Sequence, residues 1–249
     1  MQNYKVTISY DGHGFRGFQT QKNYKIRTVQ DELVKVLSKL AKKNIKVIGA
    51  SRTDSGVHAN GQVINFIFPF GLSEKNIFMG MNSNLPADIL VKKVQKVNLA
   101  FNARKNSHKK RYLYRISRNQ FINPFKRFYT AHYFWNLDIN RIKKALPTFL
   151  GEHDFTTFAA SGDQSYSKIR KITKAEIREC PSKKEILFVF EGNAFLYNQI
   201  RIMIGVLLEI GNKRRKINDV PHLIKAKNRK LATFTAPASG LYLDKIDYG

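Results

Sequence analysis

Apolar and polar positions alternate at the start of the chain, as in a strand with one buried face. The apolar positions are Val6, Ile8 and Tyr10. They run into a glycine-punctuated loop, 11–17, and a helix is predicted after it because Thr28 can act as the N-cap with Asp31 three residues later. An apolar stripe at helical spacing supports this helix and consists of Leu33, Val36, Leu37 and Leu40. The chain is therefore predicted to open with a strand, a loop and a helix.

The rest of the first half continues with short strands and one helix. Strands are predicted at 45–50, 62–68, 89–97 and 111–117. A polar loop, 51–61, separates the first two of them. Ser73 is predicted to cap a short helix that ends before Pro86. The pattern of this half is therefore a mixture of α and β elements.

The second half repeats the mixture. Helices are predicted at 139–150, from Ala194 onwards and at 219–227, and strands at 171–179, 185–192 and 240–244. The helix from Ala194 has the clearest apolar face, formed by Leu196, Ile200, Met203, Ile204, Leu207 and Leu208. The whole pattern predicts an α+β protein with mostly antiparallel sheet, in which two halves meet around residues 98–106.

Composition adds a functional constraint. The 249 residues include 44 Lys and Arg against 18 Asp and Glu, a net charge of +26, while 43% of the residues are hydrophobic. This composition excludes intrinsic disorder and predicts a folded protein with a polyanionic partner.

Cys180 is the only cysteine, which excludes an internal disulfide and a Cys-rich zinc site and favours the cytoplasm. The polar N-terminus and the polar residues within 195–210 predict neither export nor a membrane span.

Three basic clusters carry much of this charge. Segment 104–118 has no acidic residue, and Tyr112 and Tyr114 are interleaved in it with Arg104, Lys105, Lys109, Lys110, Arg111, Arg115 and Arg118. The other clusters are 213–216 and 225–230. A single basic run is usually a solvated face, but cations with aromatic rings among them suit phosphates and stacked bases. The three clusters together favour a nucleic acid, without distinguishing RNA from DNA.

The loop 51–59 combines a carboxylate, a cation, hydroxyls, a glycine and an imidazole between two predicted strands. Loops held by rigid strands commonly carry catalytic groups. Spacing alone leaves a structural alternative open, in which Asp54 and Ser55 form an Asx-type turn with Gly56 at positive φ. A hydrolase triad of Ser55, His58 and Asp54 is disfavoured because no strand-to-helix elbow surrounds the serine, and a metal site would lack further ligands.

The same loop, SRTDSGVHA, resembles the active-site motif of the tRNA pseudouridine synthase A family, which usually has glycine at the position of Ser51. Five more motifs resemble that family in its order and spacing: YDGHGFRGFQTQ (10–21), KKRYLYRI (109–116), GEHDFTTFAA (151–160), GNAFLYNQIRIMIG (192–205) and TAPASGLYL (235–243). The resemblance covers essentially the whole chain. It implies two similar ferredoxin-like α/β halves of RNA-binding type, 1–104 and 105–249, whose sheets join with an active-site cleft between them.

The resemblance also implies an activity. The family isomerises uridine to pseudouridine in the anticodon stem-loop, at positions 38, 39 and 40 of tRNA. Asp54 matches the essential aspartate, Tyr112 the tyrosine that lies against the target base, and Arg201 the arginine that pairs with the aspartate. A cation beside the apolar face of the predicted helix needs exposure or a partner, which agrees with this pairing. The aspartate can attack ribose C1′ or uracil C6 or assist elimination, and the sequence does not choose among these routes.

For RNA binding, the resemblance and the basic segment indicate Arg52, which would help to flip the target nucleotide, together with Tyr112, Lys110, Arg111 and His58. No cofactor and no metal are expected, because the isomerisation involves no net redox change and the sequence has neither a GxGxxG run nor a P-loop. Family members are homodimers in which one tRNA contacts both subunits, and the same is expected here. Two alternatives stay open: a synthase of this family that acts on ribosomal RNA, and a non-catalytic basic RNA-binding protein.

Overall fold

A computed structural model describes residues 1–21 and 26–249. In these residues the chain forms ten strands and five α-helices: β1 (Gln2–Tyr10), α1 (Val29–Ala41), β2 (Ile48–Gly49), β3 (His58–Phe68), α2 (Glu74–Asn82), β4 (Ile89–Val97), β5 (Lys109–Ser117), β6 (Ala131–His132), α3 (Ile139–Ala145), β7 (Gly151–Asp154), β8 (Ile169–Cys180), β9 (Glu185–Gly192), α4 (Gln199–Gly211), α5 (Asp219–Ala226) and β10 (Leu241–Asp247). No helix within this part of the chain is long and apolar enough to cross a membrane. The predicted α+β class with mostly antiparallel strand pairing is confirmed.

The chain divides into two compact units. The first unit comprises Met1–His108 and Tyr242–Gly249, and the second comprises Lys109–Leu241. The predicted division into 1–104 and 105–249 stays a prediction. It differs from the compact units mainly at the C-terminus, because residues Tyr242 and Leu243 of β10 pair with β3 in the first unit.

The sheet of the first unit has the strand order β4-β1-β3-β10, with β2 paired to β3. Strand β1 is antiparallel to β3 and β4, whereas β10 is parallel to β3. The predicted alternation in β1 is confirmed, since Val6, Ile8 and Tyr10 are all buried. The predicted N-cap of α1 is also confirmed, because the Thr28 side chain accepts a hydrogen bond from the Asp31 N–H.

Strand β3 begins earlier than the sequence pattern predicts. The polar loop was expected to span 51–61, but β3 already starts at His58. The reason is long-range pairing: Ala59 lies opposite both Tyr10 of β1 and Leu243 of β10. The backbone of Asn60 and Gly61 is therefore part of a strand despite its polar sequence. Asp54 consequently lies on a shorter and more tightly anchored loop than predicted.

The sheet of the second unit has the order β5-β9-β8-β7, with the short strand β6 parallel to the end of β5. Helix α4 is almost entirely buried, including the predicted apolar face. It begins at Gln199 rather than at Ala194, because Asn198 has a φ of 58° and interrupts a helix at that point. Helix α3 ends at Ala145, and a 3₁₀ turn that contains Pro147 replaces its predicted last turn.

Candidate active site

Asp54 lies in a tight turn between β2 and β3. The Val57 N–H donates to the Asp54 carbonyl at 3.1 Å, and Gly56 has the predicted positive φ of 76°. The side chain of Asp54 is partly exposed, and those of Arg52 and Ser55 on either side are exposed. The positive φ of Gly56 is thus confirmed, and the turn is closed by a backbone hydrogen bond and leaves the side chain of Asp54 partly exposed.

The glycine-punctuated loop after β1 fixes the backbone on both sides of Asp54. The Phe18 N–H donates to the Thr53 carbonyl at 3.1 Å, and the Gly56 N–H donates to the Phe15 carbonyl at 3.3 Å. In addition, the Tyr10 hydroxyl shares a 2.7 Å hydrogen bond with the Thr53 hydroxyl. These contacts restrict the backbone on both sides of Asp54.

The two loops approach so closely at Gly12 that no side chain fits there. A Cβ at this position would lie 2.1 Å from the Val57 carbonyl oxygen. Sequence reasoning recognised the glycines in 11–17 as loop punctuation but did not connect them with the Asp54 loop. The joint occurrence of the motifs 10–21 and 51–59 could have indicated this contact, because the sequences of two loops that pack against each other constrain one another.

His58 is part of this framework. Its side chain is only 2% exposed, its Nδ1 accepts a 3.0 Å hydrogen bond from the Gly12 N–H, and its ring stacks on Tyr242 at 4.7 Å. The same Nδ1 lies 3.2 Å from the carboxylate of Asp11. The RNA-binding role of His58 stays a prediction, since these contacts are with the protein itself.

Arg52 has a cationic neighbour that sequence reasoning did not single out. The Arg104 guanidinium donates from Nε to the Gly49 carbonyl at 3.3 Å. Burial, together with the charge of Arg52, lowers the pKa of Arg104 from its ordinary value. Arg104 is therefore a second cation that interacts electrostatically with Arg52. Arg104 was visible in the sequence only as one of seven cations in segment 104–118.

Ser51 departs from the usual motif glycine without a backbone penalty. Its N–H donates to Gln62 Oε1 at 3.2 Å, and its carbonyl accepts from Gln62 Nε2 at 2.7 Å. Ser51 is not among the residues with positive φ in the described part of the chain. The position therefore does not need glycine, and the departure leaves the turn intact.

Tyr112 and its basic neighbours lie on β5 in the second unit. Tyr112 is buried opposite Phe190 of β9, and its ring meets that of Phe195 edge-on at 5.2 Å. Lys110 is buried, whereas Arg111 is partly exposed and lies 3.8 Å from the carboxylate of Glu191. Tyr112 and Lys110 are therefore buried within the unit, and the roles of all three residues in RNA binding stay predictions.

Arg201 is held in one orientation at the start of α4. Its Nε donates to the Ala236 carbonyl at 2.7 Å, and its Nη1 donates to Asn198 Oδ1 at 2.7 Å. The Ala236 N–H in turn donates to the Arg201 carbonyl at 3.1 Å. Asn198 is the residue whose left-handed backbone delays the start of the helix, so the same turn both begins α4 and orients the guanidinium.

The predicted site residues are thus divided between the two units. Asp54, Arg52 and His58 belong to the first unit, and Tyr112, Lys110, Arg111 and Arg201 to the second. The pairing of Arg201 with Asp54 stays a prediction. Within residues 1–21 and 26–249 there is no group of three or more His, Cys, Asp or Glu side chains that could hold a metal ion.

Asp163 anchors the loop before β8 to the start of α4. Its carboxylate accepts from the Tyr197 N–H at 2.6 Å and the Ser165 N–H at 2.8 Å, and it forms an ion pair with Lys168. Burial by itself raises the pKa of this carboxyl, but the hydrogen bonds from Lys168, Tyr197 and Ser165 outweigh it and bring the pKa down to about 2. The Asp163 side chain is only 4% exposed and that of Lys168 is 25% exposed, so solvent screens their ion pair only in part.

The variant Asp163→Asn is expected to lower the free energy of unfolding in a pH-dependent way. A carboxyl whose pKa is lower in the folded state stabilises the protein above its unfolded pKa, and that stabilisation is lost as the pH falls toward about 2. Urea unfolding should show a difference from wild type of about 2 kcal/mol at pH 6 and about half of that at pH 3. Asp247→Asn is the control, because Asp247 and its partner Lys245 are exposed. A difference that is the same at both pH values would contradict the prediction.

Comparison with known proteins gives one consistent result. A family model described as tRNA pseudouridine synthase matches residues 6–104 and 145–249. The tRNA pseudouridine synthase A of Oenococcus oeni is 70% identical over 100% of this chain and 98% of its own length, and that of Leuconostoc citreum is 56% identical over the same shares. Among solved structures, a chain of the archaeal box H/ACA sRNP Nop10-Cbf5 complex matches 83% of this chain with 43% of its own length, at 14% identity and a TM-score of 0.38.

Proposed function

Because the chain belongs to the tRNA pseudouridine synthase A family and is an isomerase that converts uridine in tRNA to pseudouridine, we propose that its targets are positions 38, 39 and 40 in the anticodon stem-loop. The Asp54 turn, whose backbone is fixed on both sides by the loop after β1, supports the catalytic part of the proposal. The match of six motifs to the family over the whole chain supports the positions.

Each site residue has a part in the proposed reaction. The reaction breaks the N-glycosidic bond and rejoins the same uracil to the same ribose through carbon, so it consumes no redox equivalent and needs no cofactor. Asp54 acts as the nucleophile or base, Tyr112 lies against the target base, and Arg201 pairs with Asp54 and keeps it ionised. The hydrogen bonds from Arg201 to Ala236 and Asn198 support this part, because they restrict the guanidinium to one orientation.

The proposed RNA contacts serve two purposes: they bind the substrate, and they help to flip the target nucleotide out of its stem. Arg52 helps to extrude the target nucleotide, and Lys110, Arg111, Tyr112 and His58 complete the proposed RNA contacts. The net charge of +26 supports binding to a polyanion, which in turn fits a place in the cytoplasm.

The active form is proposed to be a homodimer in which one tRNA contacts both subunits. The family supports this state, and so does an apolar surface in the second unit, where Phe121 and Phe125 are almost fully exposed. Lys126, beside Phe125, is paired with Glu185 at 2.8 Å. Sedimentation at micromolar concentration tests the dimer.

The test of the function is a map of pseudouridine made by the wild-type protein. Unmodified tRNA with uridines at positions 38 to 40 and unmodified ribosomal RNA are incubated with the protein, and pseudouridine is located by carbodiimide labelling. Product at positions 38, 39 or 40 of tRNA is expected. Product only elsewhere in tRNA or only in ribosomal RNA would overturn the proposed positions, and tight binding without product would favour the non-catalytic alternative.

A further inference from the structure

An exposed pair of stacked aromatic rings lies in the second unit. Phe134 and Trp135 are 51% and 55% exposed, and their ring centroids are 4.5 Å apart with an interplanar angle of 29°. His132 stacks on Phe134 from the other direction at 5.9 Å. Adjacent exposed aromatic rings form a contiguous apolar patch, and such patches commonly mark an interaction site.

The backbone that carries these rings is anchored at two points. The Tyr133 N–H donates to the Ser117 carbonyl at the end of β5 at 3.0 Å, and the Asp138 N–H donates to the Gly211 carbonyl at the end of α4 at 2.8 Å. Between them, the Tyr133 hydroxyl accepts from Asn212 Nδ2 at 2.6 Å. The aromatic stack is therefore fixed beside the residues that follow α4.

The residues that follow α4 are basic. Lys213, Arg214 and Lys216 are all exposed, and among the residues that the structure describes no acidic side chain forms an ion pair with any of them. Their neighbour Arg215 differs, because Glu209 binds it at 2.9 Å. Exposed aromatic rings beside unneutralised cations are the combination that binds unpaired nucleotides, since rings stack on bases while cations contact phosphates.

We propose that Phe134 and Trp135, together with Lys213, Arg214 and Lys216, form a binding site for unpaired nucleotides of the RNA substrate. The proposal rests on the proposed function only in taking RNA as the substrate. A second copy of the chain is disfavoured as the occupant, because it would bring further positive charge to cations that are not neutralised.

The site is separate from the target base. The Tyr133 N–H is hydrogen-bonded to the Ser117 carbonyl. Ser117 lies five residues after Tyr112 on β5, so the two residues are separated by about 16 Å along the strand. The nucleotide on Trp135 is therefore a neighbour of the target in the RNA, such as a base of the loop next to the modified stem. Loss of this contact should weaken binding and raise KM, with little change in kcat.

Trp135 is the only tryptophan of the chain, so its fluorescence reports on this site alone. Acrylamide quenching is measured without RNA, with an unmodified anticodon stem-loop, and with a blunt duplex of the same stem that has no loop. The stem-loop is expected to protect Trp135, and the duplex is not. Unchanged quenching at saturating stem-loop would overturn the proposal. Protection that grows with protein concentration in the absence of RNA would also overturn it, because a second copy would then cover the site.

Variants provide the second measurement. Trp135→Ala is expected to raise the Kd for the stem-loop by about fivefold to a hundredfold, and Trp135→Phe to restore most of the affinity. Lys213→Ala should lower the slope of log Kd against log salt by about one. Tyr166→Ala, which removes a fully exposed aromatic ring of the same unit, is the matched control. If Trp135→Ala binds the stem-loop as tightly as wild type, the proposed binding site is wrong and the proposed function is unaffected. If the wild-type protein forms no pseudouridine, the proposed function is wrong.

Discussion

Replacing Asp54 with alanine is expected to abolish pseudouridine formation and to leave tRNA binding intact. Every route proposed for the reaction uses this carboxylate as nucleophile or base, so the loss of rate should be about a thousandfold or more. Binding should survive because it depends mainly on cations, of which the chain has 44. The measurement is single-turnover product formation at saturating tRNA, together with a filter-binding Kd.

Two further variants make this result specific. Asp54→Asn keeps the size of the side chain but removes the charge, and it should be as inactive as the alanine variant. Ser55→Ala changes the exposed neighbour, whose hydroxyl makes only a 3.3 Å bond to the Phe15 carbonyl, and it should keep nearly full activity. A strong loss of activity in Ser55→Ala would instead support the hydrolase-like arrangement of Ser55, His58 and Asp54. Appreciable turnover by Asp54→Asn would show that the carboxylate of Asp54 is not needed for the reaction.

Local sequence patterns predicted most of the fold where local forces decide the structure. Helix α1 begins at the predicted N-cap, Thr28, and its apolar stripe is buried apart from the half-buried Leu40. Strand β4 spans the predicted 89–97, and Ser73 caps α2. In each case the periodicity and the cap lie within one short segment, so the sequence alone contains the determinants.

The errors occur where distant contacts or single residues override the pattern. The apolar face from Leu196 onwards is continuous, but the left-handed Asn198 delays the start of α4. The short strands β6 and β7 were not predicted, because two to four residues carry no detectable periodicity and depend on pairing with β5 and β8. Such pairing is a property of the folded chain rather than of the segment.

The candidate site shows the same division. Asp54, Tyr112 and Arg201 were found through the family resemblance, since charge and spacing left an ordinary turn and an ordinary surface arginine equally open. The support around them was not found, because the contact between Gly12 and Val57 and the proximity of Arg104 to Arg52 join segments far apart in sequence. The sequence pattern shows which functional groups are present, but only the folded structure shows which contacts position them.

Replacing Arg201 should separate the geometry of the guanidinium from its charge. Arg201→Lys keeps the cation but cannot reproduce the two fixed hydrogen bonds, to Ala236 from Nε and to Asn198 from Nη1. We expect kcat to fall by about tenfold to a hundredfold, because the proposed partner of Asp54 is then poorly oriented. The pH at which activity is lost on the acidic side should stay near its wild-type value, since a positive charge remains.

Arg201→Ala removes both the geometry and the charge, and the pH–rate profile distinguishes the two losses. If Arg201 pairs with Asp54, the carboxylate loses the cation that favours its ionised form, so the acidic limb of the kcat profile should move to higher pH. Arg141→Ala is the matched control, because Arg141 also donates to two backbone carbonyls, that of Ile210 in the last turn of α4 and that of Arg215 beyond the helix. This control should lower thermal stability and leave the acidic limb in place. An unmoved limb in Arg201→Ala would show that the arginine only supports the start of the helix, and Asp54 would then need another partner.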